Sequence, residues 1–113
     1  MKMAEAVITS NLNTNINSIS GGVLKVTLSG GVAQANDGIS LPCRTCKVKE
    51  DEGNNALVRV NFCSPADEDS FPLGSFNGDT HQAEAIDFDI DDVSKLYFYS
   101  SQNDAIVYIF YRV

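Results

Sequence analysis

The chain has 113 residues, a net charge of −7 from fifteen acidic and eight basic side chains, and a hydrophobic fraction of 43%. That length suits one domain that buries its core without metals or disulfides, and that apolar fraction excludes a disordered chain. The acidic balance leaves no footprint for phosphate binding, so nucleic acid is not an expected partner; the one basic cluster, Arg44, Lys47 and Lys49, runs directly into Glu50, Asp51 and Glu52.

The start, "MKMAEAVITSNLNTN", lacks the continuous apolar segment of a secretory leader. No apolar run approaches the ~20 residues that cross a bilayer; the longest, Ala105–Tyr111, is bracketed by Asp104 and Arg112. The expectation is a soluble chain made in the cytoplasm, with no membrane partner. Residues 1–20 read as an N-terminal arm and residues 21–113 as a β domain. Asn occupies positions 11, 13, 15 and 17, and Asn is depleted in strands. Leu12 and Ile16 share the alternate face, so an extended arm anchored on a neighbouring chain by these two residues is expected.

From Gly21 onward the period is two, the period of strands. Leu24, Val26 and Leu28 share one face, and Lys25 and Thr27 the other. Gly30–Gly31 ends that strand, and a weak run at Val32–Ala35 stops at Asn36–Gly38. Cys46 and Val48 alternate with Lys47 and Lys49. The turn signal "DEGNN" (Asp51–Asn55) predicts a hairpin to the strand Ala56–Phe62, with Ala56, Val58, Val60 and Phe62 inward. Ser64–Gln82 reads as a long loop with one short strand near Phe71–Phe76. "IDFDID" is a strand with Ile86, Phe88 and Ile90 on one face, followed by a strand at Lys95–Tyr99. "QND" (Gln102–Asp104) predicts a second hairpin, to a final strand "AIVYIFYRV" that is apolar on both faces and therefore central in its sheet. The sum is all-β: an antiparallel β-sandwich or small jelly roll of about eight strands.

Three constellations invite chemistry. Asp87, Asp89 and Asp91 lie about 7 Å apart along an extended strand, whereas one cation collects its ligands within about 2.5 Å. They read as the solvated side of the strand; a calcium on an oligomer axis, with one Asp from each subunit, is the alternative. Cys43, Cys46, Cys63 and His81 have the residue types of a zinc site. The odd spacing of Cys43 and Cys46 sends them to opposite faces of a regular strand, which favours free, packed thiols. Zinc, or a disulfide from Cys63 to Cys43 or Cys46, is the alternative there. Catalysis needs a nucleophile, a base and an orienting group, and the single His in a long loop offers no such set. No enzyme activity, metal or cofactor is expected. The tyrosines Tyr97, Tyr99, Tyr108 and Tyr111 read as core and subunit contacts, with stacking on sugar rings as the alternative.

The C-terminal third, "IDFDIDDVSKLYFYSSQNDAIVYIFYRV", resembles the ending of many small virion proteins of tailed bacteriophages. In those, an acidic strand leads into a D-x-S-K-L-Y turn, here Asp92 to Tyr97, and a terminal strand ends in Y-R, here Tyr111-Arg112. The segment "CRTCKVKEDEGNNALVRVNF" is similar to their strand, polar turn, strand unit. The resemblance covers about 70 residues from Pro42. It implies a compact, non-enzymatic β-sandwich of the virion: a capsid decoration (cement) protein, a head-fibre protein or a tail-associated module. It implies a homotrimer, with the major capsid protein or another virion protein as partner. A glycan- or receptor-binding module of a fibre or tail is the alternative.

Overall fold

The computed structural model describes residues 21–113. The expected N-terminal arm, with Leu12 and Ile16, lies outside the described residues. Among the described residues ten strands run in chain order: β1 (Gly21–Thr27), β2 (Val32–Gln34), β3 (Thr45–Glu50), β4 (Val58–Phe62), β5 (Phe71–Pro72), β6 (Gly74–Asn77), β7 (Thr80–Ala83), β8 (Ile86–Phe88), β9 (Leu96–Ser100) and β10 (Ile106–Arg112). Eight of them form two four-stranded antiparallel sheets, in the orders β1–β10–β3–β8 and β2–β9–β4–β5; β6 and β7 make a separate ribbon.

The pairing defines the topology. β1 pairs β10, β2 pairs β9, β3 pairs β8 and β4 pairs β5, as if one long hairpin had been rolled up. The further pairs β3·β10 and β4·β9 close the roll. This is a jelly roll, the two-sheet solution to the edge-strand problem. The core lies between the sheets: Val48, Val107 and Ile109 from one, Val58, Val60 and Phe98 from the other, closed by Leu28, Leu73 and Val93. β10 sits between β1 and β3, the central position that its two apolar faces predict.

Two expectations are corrected. The hairpin predicted around Asp51–Asn55 does not form, because β3 and β4 belong to different sheets. The same holds for β9 and β10 around Gln102–Asp104. Both turns carry the chain from sheet to sheet, a gap of about 10 Å. Side-chain amides bind these crossings together. Asn54 Nδ2 donates to the Ile106 carbonyl (2.8 Å) and Asn54 Oδ1 accepts from the Ile106 N–H (2.9 Å), as a strand neighbour would. Gln102 Oε1 accepts from the N–H groups of Asn55 and Ala56. The polar residues that look like turn formers are therefore cross-loop ties.

The β6–β7 ribbon stands where one short strand is expected. Its turn is Asn77-Gly78-Asp79, with Gly78 at φ 64°; Asn-Gly is a hairpin signal that the long-loop reading passed over. Gly31 shows why the first turn needs glycine: its φ is 81°, and a Cβ there would lie 2.4 Å from the Ser100 carbonyl oxygen. Among the described residues no helix is long and apolar enough to cross a membrane.

Candidate functional site

The outer face of the sheet β1–β10–β3–β8 is built by simple alternation. Val107 and Ile109 of β10 point into the core, so Tyr108, Phe110 and Arg112 point out. In β3, Cys46, Val48 and Glu50 are buried, which leaves Lys47 and Lys49 outward. The register then makes two rows across the sheet. One is Val23–Phe110–Lys47–Asp87 and the other Lys25–Tyr108–Lys49. Neighbours along a row sit on adjacent strands, about 4.8 Å apart. Val23 is 58% exposed and Phe110 39%. Four of the seven Lys and Arg residues from Gly21 onward are on this one face of an acidic chain. The ion pairs there are loose, with Lys47–Asp87 and Lys49–Glu52 both at 3.9 Å. Between them lies a shallow depression of about 360 Å³ lined by Val23, Lys49, Asp51, Tyr108 and Phe110. Such a face binds by contact: apolar and aromatic area framed by cations.

A second cluster sits under the β6–β7 ribbon. Glu50 is fully buried at the end of β3, on the inward side that Cys46 and Val48 share. Its Oε1 accepts from the Val58 N–H at 3.2 Å and lies 3.1 Å from His81 Nε2 on β7. The His81 approach is off the line of a hydrogen bond, so it is an ion-pair contact; Glu50 Oε2 and His81 Nε2 have no directed hydrogen-bond partner. His81 Nδ1 faces the Glu52 carbonyl at 3.2 Å. A carbonyl only accepts, which assigns the proton to Nδ1. Burial pushes the Glu50 carboxyl above its usual range, against hydrogen bonding from Val58 and the His81 charge. Phe76 of β6 stacks on the imidazole at 4.5 Å. Gly74 lies against the carboxylate, since a Cβ there would be 2.4 Å from Glu50 Oε2.

The acidic strand has the predicted alternation. Ile86, Phe88 and Ile90 pack against the core, and Asp87, Asp89 and Asp91 are exposed. Asp91 pairs with Lys95 at 2.6 Å. Asp92 differs from the other three. It caps the 3₁₀ turn Val93–Lys95 by accepting from the Ser94 N–H and hydroxyl, and it also accepts from the Leu41 N–H and the Ser40 hydroxyl. These donors hold its carboxyl well below the usual range. Among the described residues no three His, Cys, Asp or Glu side chains converge as a metal site. The three thiols are free; Cys46 is buried and pushed up to about 12, chiefly by desolvation. Cys63 is exposed, at φ 63°, so the expectation of packed thiols fails there.

The fold separates the tyrosines singled out from sequence. Tyr97 and Tyr99, half-buried, lie on the outside of the other sheet, paired across strands with Gln34, Asn61, Val32 and Arg59. Tyr108 is on the basic face, and Tyr111 turns inward against the core. They form no single patch. No family model, curated protein or solved structure matches the chain. Sequence reasoning missed Val23, Phe110, Lys25 and Arg112 on the open face. The signal was available in the parity of β10: with Val107 and Ile109 inward, Phe110 must face out. The Glu50–His81 contact, 31 residues apart in sequence, had no local signal.

Proposed function

We propose that this chain is a structural protein of a virus particle, an accessory that binds the assembled head and stabilises it, with the major capsid protein or another virion protein as partner. The observation that carries the reading is the outer face of β1–β10–β3–β8, where, among the described residues, Val23 and Phe110 are exposed beside a half-buried Tyr108 and between Lys25, Lys47 and Lys49. Apolar area of this kind marks a contact surface. The jelly roll supports the reading by analogy, since viral capsid domains use it; lectin domains and cupins use it too. The C-terminal resemblance to phage virion proteins points the same way. The mechanism is mass action: a protein that binds only the assembled lattice shifts the equilibrium toward it.

The test is the composition of particles made from a genome that carries this gene. Gradient-purified particles are expected to contain the chain in fixed ratio to the major capsid protein. Particles made without it are expected to release their DNA at a lower temperature, and adding back the purified protein restores the wild-type temperature. Particles that lack the chain, or whose stability is indifferent to it, would end this reading.

A further inference from the structure

We propose that β1 is the receiving edge for a second copy of this chain. The second copy's β1 adds to it antiparallel, about a two-fold axis normal to the sheet, and the two four-stranded sheets continue as one. This pairing goes beyond the virion reading and does not depend on it.

Among the described residues the two main sheets have four edge strands, and they are guarded unequally. β8 is three residues long and carries Asp87. β5 is two residues long and contains Pro72. β2 is three residues long and ends in a turn with Asn36 and Asp37 at positive φ. β1 is seven residues long, has no proline, and carries one charge, Lys25. Among the described residues only β10 pairs with it.

The ladder shows which peptide groups face the open side. The Leu28 N–H donates to the Ala105 carbonyl at 2.8 Å, so Leu28 turns toward β10. Antiparallel alternation turns Val26 and Leu24 the same way, and Thr27, Lys25 and Val23 toward the open edge. Ile106, opposite Thr27, agrees: its carbonyl accepts from the Asp51 N–H, on the β3 side. Two β1 strands related by a two-fold axis through Leu24 pair along their whole length. Val23 of each copy then faces Lys25 of the other, and both present peptide groups to the shared edge. An axis through Lys25 sets lysine on lysine, and one through Val23 runs Val26 and Thr27 past the end of the second strand. β1 is thus complementary to itself in one register, as an isologous contact requires.

The inner side of the edge lacks cover that a second β1 supplies. Leu24, Val26 and Ala33 point into the core yet are only half-buried, and they line an open seam of about 450 Å³ between β1 and β2. In the dimer Leu24 packs on Leu24 and the two seams face each other. On the outer side Val23, 58% exposed, lies against the methylenes of Lys25.

Val23 is the residue to vary, because its side chain is exposed and its N–H points to the edge. Val23→Lys sets lysine against Lys25 twice in the dimer and is expected to weaken it about tenfold. Val23→Glu sets a carboxylate against Lys25 twice and is expected to tighten it by a similar factor. Bulk charge predicts the reverse order, since the chain is already at −7 and further acid strengthens repulsion. Val23→Pro removes an N–H that only the edge contact uses, and is expected to give a folded monomer.

Sedimentation equilibrium of the full chain up to about 100 µM reads each state, with a wild-type Kd in the micromolar range expected. The Val23 and Lys25 amides are expected to exchange slowly in the dimer and fast on dilution, while the Leu24 amide stays protected by β10. Circular dichroism checks each fold. Should Val23→Pro unfold, the two charge variants and the exchange rates decide. A wild-type monomer overturns the proposal, and so does the trimer expected from the sequence. Charge variants that follow bulk charge overturn the register and the proposal with it. Val23 and Lys25 amides protected in a monomer overturn it too, and assign the edge to residues 1–20 of the same chain. Particle composition is independent of these outcomes, so the virion reading and this pairing fail separately.

Discussion

Asp92 and Glu50 are two carboxylates of one chain that their surroundings push in opposite directions. Asp92 is half-buried and accepts from four groups, two of them on the Ser40–Leu41 segment and two on Ser94. Glu50 is buried, accepts one backbone hydrogen bond, and lies 3.1 Å from His81 Nε2. The lesson is that accessible area alone does not decide how well a charge is accommodated. The half-buried carboxylate has its ionised form satisfied by four donors, while the fully buried one has an oxygen without a partner. Desolvation wins at Glu50 because one peptide N–H and one imidazole do not replace the water that was removed.

The comparison breaks most visibly when Glu50 is truncated. Glu50→Ala leaves His81 facing a void and the Val58 N–H unpaired. A loss of about 3–5 kcal/mol is expected, as for other broken buried pairs, read by urea denaturation. A loss within error would show that the pair contributes nothing to folding.

Next in size is Gly74→Ala. The added Cβ would meet both Glu50 Oε2 and the Gln82 carbonyl oxygen, at 2.4 and 2.6 Å. Overpacking of this kind costs about 1–3 kcal/mol. The ribbon is expected to shift first, seen as faster amide exchange across Gly74–Ala83 with the two main sheets unchanged. Uniform exchange throughout would mean that the ribbon is no separate unit.

The pH dependence sharpens the contrast through opposite signs. The Asp92 carboxyl is depressed when folded. Its contribution is complete above the ordinary value of 3.8 and is lost as pH falls through the folded value. The Glu50 carboxyl is raised when folded. Its contribution is complete below the ordinary value of 4.5 and is lost as pH rises through the folded value. From these two groups alone, stability rises with pH below 3.8 and falls with pH above 4.5. Glu50→Gln is expected to flatten the upper slope and leave the lower one. Melting temperature against pH for wild type and variant reads this directly; identical upper slopes would place the titration elsewhere.

The smallest effect is expected from Asp92→Asn. It keeps one acceptor oxygen and the cap while losing the charge. It should lower the melting temperature less than Glu50→Ala and flatten only the acid side. A drop as large as that of Glu50→Ala would mean that the link from Ser40–Leu41 to Ser94 holds the sandwich closed.

Much of the strand layout was legible, because side-chain alternation is a local property. Leu24, Val26 and Leu28, or Ile86, Phe88 and Ile90, declare their inward face within a few residues. So does the central place of β10, since only a covered strand carries apolar residues on both sides. The open face was half legible. The lysines of β3 stood out, but the following acids seemed to cancel them. In the fold Glu50 turns inward, so sequence neighbours are not spatial neighbours. The ribbon was missed although Asn77-Gly78 marked its turn.

What the sequence by itself determined is the all-β class, the positions of the strands of the two main sheets and most of their inward residues, Phe62 being an exception at 40% exposure, because periodicity and turn chemistry act over a few residues. Only the tertiary structure decided which strands share a sheet. A polar turn between two strands suits a hairpin and a sheet crossing equally well, and closure of the roll by β3·β10 and β4·β9 selects the crossing. It also decided that His81 meets Glu50, that Asp92 ties Ser40 to Ser94, and that lysines and aromatics from β1, β3 and β10 lie on one face. Each of these depends on a long-range register that no local pattern encodes.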